Sequence, residues 1–149
     1  MNRTMTWLTC GCALALMAGC AKGPSAAYQE MAAKADKKDW SGVYDSFSAK
    51  AQGQMDMSIK MLVEMGAAFA EDEEADEMKK MKKLEGKELF AAVMSSGDES
   101  ETPFPLGEVT KEDVAGDKAT LTIKTKDGKE IALDMVKENK QWKLVPDMD

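Results

Sequence analysis

Ten methionines follow residue 19 of this 149-residue chain, which contains no histidine. Thioether sulfur is a soft donor, so Met57, Met61 and Met65, spaced by four, are the side chains through which the chain could hold cuprous copper. Met55-x-Met57 and Met78-x2-Met81 offer further pairs. The spacing of four is also that of one helix face. Met among Ile59, Leu62 and Val63 packs a core or lines a pliable apolar pocket, and that reading is preferred, with copper as the alternative. No cofactor is expected.

Acid–base chemistry has few candidates. Tyr28, Tyr44, Asp39 and Asp45 could act as acid and base if held in an apolar pocket, but the only arginine is Arg3. There is no G-x-S-x-G, no cysteine pair beyond residue 20 and no glycine-rich loop ahead of a helix. Residues 71–77, "EDEEADE", lack the alternation of a calcium loop. Lys79, Lys80, Lys82 and Lys83 follow at once, so the run reads as a solvated helix surface. The chain is expected not to be an enzyme.

Cys20 carries different chemistry. Arg3 precedes a run over residues 5–19 that contains Trp7, Leu8, Leu14, Leu16 and Met17 and ends in Ala18-Gly19. A positive flank, a short apolar run and small residues are the layout of a signal peptide, and 15 residues fall short of the ~20 that span a bilayer. The alternative is a buried helix of the mature fold. "LMAGC" (residues 16–20) resembles the bacterial lipobox, with Met17 where leucine is usual. The resemblance implies cleavage before Cys20 and a diacylglycerol on its sulfur. Each buried methylene then contributes about 0.8 kcal/mol, and two or more chains anchor stably. Ala21, in place of aspartate, implies the outer membrane, facing the periplasm. Residues 1–19 are therefore read as a lipoprotein signal peptide, 20–24 as the lipidated cysteine and a short tether, and 25–149 as one domain. Cys10 and Cys12 leave with the signal peptide, so no disulfide forms within a mature monomer. The remainder has 19 lysines against 27 acids, a net charge of −8, which disfavours nucleic acid as a partner.

The elements that position these residues follow from periodicity. Ser25 can cap a helix with Tyr28, Met31, Ala32 and Ala35 on one side. Asp39 can cap a second, short helix that lines up Trp40, Val43, Tyr44 and Phe47, the aromatic anchor of a core. Residues 55–70 wind into a helix on which Asp56, Lys60 and Glu64 form one stripe, able to pair along it. Nearly all else there is apolar, which predicts a helix buried on more than one side and set centrally against a sheet. Two short helices bent near Gly86 follow, then a polar loop over residues 95–101 and an extended Pro103-Phe104-Pro105.

The last forty residues alternate. A two-residue Asp127-Gly128 turn would pair Leu121 with Asp134 and mix the faces. A three-residue loop, Lys126-Asp127-Gly128 with Gly128 left-handed, pairs Ile123 with Ile131 and Leu121 with Leu133, so this register is predicted. A loop centred on Glu138-Asn139 pairs Met135 with Trp142 and Leu133 with Leu144. An earlier strand is expected over residues 107–114, without a defined register. The fold class is α+β: N-terminal helices packed on one face of a curved antiparallel β-meander, cone-like.

Helices first, a second helix opening on Asp39-Trp40, and a meander ending "VKENKQWKLV" resemble the small lipoproteins of the nuclear transport factor 2-like superfamily. The resemblance covers roughly residues 25–146 and implies a cystatin-like cone. That fold hosts enzymes, ligand binders and interaction modules alike. The expected function is a membrane-anchored envelope lipoprotein, held through its N-terminal lipid, that binds a small apolar ligand or an envelope protein without catalysis. Trp40, Tyr44, Phe47, Met61, Met65 and Trp142 are the candidate lining of the ligand pocket. The alternatives are cuprous copper on Met57, Met61 and Met65, or an acid–base enzyme of the ketosteroid isomerase-like type.

Overall fold

The computed structural model describes residues 22–70, 72–97, 102 and 104–146, so the segment expected to be a signal peptide (residues 1–19) and Cys20 lie outside the described residues. Five helices precede four strands: α1 (Pro24–Asp36), α2 (Trp40–Tyr44), α3 (Ala49–Phe69), α4 (Asp72–Met81), α5 (Gly86–Ser96), then β1 (Gly107–Ala115), β2 (Lys118–Thr125), β3 (Glu130–Glu138) and β4 (Gln141–Val145). The strands form one antiparallel meander in the order β1-β2-β3-β4, curved and unclosed. The α+β class is as expected.

Helix α1 starts one residue earlier than anticipated. Gly23 is the residue before the first turn and Pro24 occupies it, where proline's missing N–H costs nothing. Ser25 therefore does not cap; its backbone N–H and its hydroxyl both donate to the Glu112 carboxylate of β1. Tyr28, Met31 and Ala35 are buried, and α1 lies against β1, β2 and β4. Asp39 does cap α2, accepting from the Gly42 N–H at 3.0 Å. Behind α2 the chain passes along β4: the Ser48 N–H donates to the Leu144 carbonyl, and the Leu144 N–H to that of Ser46, each at 2.9 Å. That parallel bridge at Phe47 partly covers one edge of the sheet.

The first hairpin has the predicted register, with Ile123 opposite Ile131, Leu121 opposite Leu133 and Gly128 at φ +83°. The second does not. Met135 faces Leu144 and Lys137 faces Trp142, so the partners slide by two residues. The turn is the two residues Asn139 and Lys140, at φ +50° and +66°, the paired left-handed geometry that matches the twist of a tight hairpin. A slide of two keeps side-chain parity, so Trp142 and Leu144 still point into the core. Strand β1 pairs with β2 through a bulge between Val109 and Lys111.

The core joins Tyr28, Met31, Trp40, Val43, Tyr44, Phe47, Phe90 and Phe104 to the inner sheet face of Leu121, Ile123, Leu133, Met135, Trp142 and Leu144. Phe90 sits between Tyr44 and Phe47, with ring centroids at 5.5 and 6.3 Å, and Phe104 closes on Phe47 at 5.8 Å.

Helix α3 overturns its expected place. It packs along α5, α4 and β4 at the side of the domain, not centrally against the sheet. Only Ala51 and Val63 of its 21 residues are buried. The acidic run is itself helical from Asp72, and α4 ends at Met81 before the break that precedes α5.

Candidate functional site

Each of the four acid–base candidates already has a partner. The Tyr28 hydroxyl donates to the Pro105 carbonyl at 3.2 Å and accepts from the Gly107 N–H at 3.0 Å, a latch between α1 and the start of β1. Burial raises its pKa, and the Gly107 hydrogen bond offsets part of that rise. Asp39 holds α2. Asp45 lies at the surface, 3.7 Å from Lys87. Tyr44 points to α3, where its hydroxyl reaches both Asp56 oxygens at 2.9 and 3.0 Å. Burial, followed by the hydrogen bond and negative charge of Asp56, pushes its pKa up to about 12.

The six side chains expected to line one pocket divide into two groups. Trp40, Tyr44, Phe47 and Trp142 belong to the packed core, whereas Met61 and Met65 lie outside it on α3. A ligand pocket made of all six is not what the chain builds. A surface cavity of about 390 Å³ does touch Trp142, but Lys22, Lys34, Lys140, Lys143, Glu30 and Asp45 also line it. Three of the four lysines are engaged: Lys22 and Lys34 reach Glu30 at 2.5 and 3.5 Å, and Lys143 donates to the Asp45 carbonyl at 2.5 Å. A second cavity, about 560 Å³ between α1 and the Gly107–Thr125 end of the sheet, is bordered by Asp36, Glu108, Lys124 and Lys126. Neither offers the mainly apolar concavity that suits a small apolar ligand.

The feature of α3 that sequence reasoning missed is its rotation. The charged stripe turns partly inward: Asp56 takes the Tyr44 hydroxyl, and Lys60 donates to Glu85 at 2.9 Å. That bond raises the Lys60 pKa and lowers that of Glu85. The apolar face turns outward, leaving Met57, Met61, Leu62, Met65 and Phe69 with 74, 64, 64, 51 and 83% of their surface exposed. Scattered exposed apolar residues are ordinary, but five on one helix form a patch. The readable signal was the wheel itself. Across residues 54–69 the three charges fall within about 80°, which leaves about 280° without charge, and periodicity alone does not say which part of it points outward.

The outward face also bears on copper. It frees the thioethers of Met57, Met61 and Met65 from core packing, contrary to the preferred reading of these methionines. Residues eight apart rise about 12 Å along a helix, however, so Met57 and Met65 cannot close on one ion. At most two neighbouring sulfurs could share it. Among the described residues no cluster of three or more cysteine, aspartate or glutamate side chains could hold a metal ion. No described helix is long and apolar enough to cross a membrane.

No protein-family model, curated protein or solved structure matches this chain.

Proposed function

We propose that the chain is a lipoprotein held on the periplasmic side of a bacterial outer membrane by acyl chains on Cys20, and that it works as a non-catalytic module which docks an apolar protein helix through α3. The observation that carries the docking role is the outward arc from Met57 to Phe69. A convex, charge-free helix face suits a protein surface, whereas a small apolar ligand needs a concavity. The lipidated anchor rests on "LMAGC" and on the tether, which shortens to Lys22-Gly23 before α1 begins. The meander with helices on one face is compatible with the cone-like resemblance noted from the sequence. The engagement of Tyr28, Asp39 and Tyr44 in structural hydrogen bonds supports a non-catalytic reading.

The test has two parts, both on the full chain expressed in a bacterial envelope. The native chain is expected in the membrane fraction, labelled by radioactive palmitate, and Cys20→Ala is expected to lose the label. A benzophenone amino acid at position 61 is expected to cross-link to protein, and the same group at Lys124, on the exposed sheet face, is not. An unlabelled native chain overturns the anchor. Equal yields at the two positions, or cross-linking to lipid alone, overturn the docking role.

A further inference from the structure

The outward residues Gln54, Ser58, Met61, Met65 and Ala68 follow a 4-3-4-3 spacing, the seam of a packed helix pair, and all five are exposed. We propose that a second copy of this chain covers that seam, the two α3 helices packing antiparallel about a twofold axis level with Leu62 and Val63. The proposal rests on α3 being the docking face and names its occupant.

Two observations favour a second copy. The first is area. The five large side chains expose on the order of 600 Å² of apolar surface, most of the ~800 Å² that one partner of a standard interface covers. The second is charge. With 19 lysines against 27 acids beyond residue 19, two copies repel across most orientations, and the charge-free arc from Met57 to Leu62 is where their contact repels least. The acidic run that follows Phe69 in sequence disfavours an anionic bilayer as the occupant instead.

The experiment is mild oxidation of Met61→Cys and, separately, Lys124→Cys in the full chain in the native envelope, read on a non-reducing gel. A residue beside the twofold axis meets its own copy, so Met61→Cys is expected to give a disulfide-linked dimer and Lys124→Cys none. Adding Met65→Glu to Met61→Cys is expected to lower the dimer yield about tenfold, because it buries an unpaired carboxylate in the seam. Both residues point outward, which separates that loss from misfolding, and an unchanged thermal unfolding midpoint checks it. A monomeric Met61→Cys, or equal dimer at both positions, overturns the second copy. If the benzophenone at position 61 then still captures a protein of another mass, the docking role survives with a different occupant. If it captures nothing, both fail.

Discussion

Helices α1 and α3 are both one-sided, yet they face opposite ways. Helix α1 turns Tyr28, Met31 and Ala35 to the sheet and leaves its lysines and acids in water. Helix α3 brings Asp56 to Tyr44 and Lys60 to Glu85, and leaves Met61 and Phe69 in water. The difference teaches that amphipathicity fixes which residues share a face, while orientation is decided by what the neighbours need. The sheet needs an apolar cover. The space beside α5 is already closed by Phe90 and Leu89, and what it offers α3 is a buried tyrosine in want of an acceptor.

The comparison breaks first at the core. Leu144→Ala empties a fully buried position and is expected to cost about 2–5 kcal/mol of unfolding free energy, whereas Met61→Ala is expected to fall within about 0.5 kcal/mol in the same urea titration. A large Met61→Ala cost in the monomer would mean that α3 is buried after all.

The next effect sharpens the orientation argument. Tyr44→Phe removes the bond to Asp56 and is expected to cost about 1.5–3 kcal/mol, because a charged acceptor loses its donor. The tyrosine's pKa is raised in the folded chain from 10.0 to about 12, so its contribution is complete below pH 10 and is lost as pH rises toward 12. Stability should therefore fall more steeply over that window in the native chain than in Tyr44→Phe, measured by chemical denaturation at each pH.

The smallest effect concerns the second hairpin. Lys140→Gly relieves a left-handed lysine and creates an Asn-Gly turn, so a gain of about 0.5–1 kcal/mol is expected in thermal unfolding. A loss would show that the lysine side chain contributes more than its backbone costs.

Much of the sheet was legible because alternation is local. Leu121, Ile123, Ile131 and Leu133 dictate the first register within a dozen residues, and Gly128 marks the turn. The second register was misjudged by two because Asn139-Lys140 carries no glycine to announce a tight turn. Parity still placed Trp142 and Leu144 correctly. The core aromatics at Trp40, Tyr44 and Phe47 were legible as an anchor because their helical spacing of four and three is equally local. The face of α3 was not, since its rotation depends on Tyr44, 12 residues before Asp56, and on Glu85, 25 residues after Lys60. No window along the chain contains that information.

The outer edge of the meander has its own consequence. Strand β1 carries Glu108, Lys111, Glu112 and Asp113 and is kinked by its bulge, and Glu112 is further tied to Ser25. Unpaired strand edges are templates on which chains polymerise into fibrils, and charges with a bulge are the usual safeguard. On the proposed acyl anchor, copies would meet each other far more often than in dilute solution, and this guard would matter most there. Growth strand by strand is disfavoured on that side, which leaves the proposed α3 seam, closed by two copies, as the route for self-association.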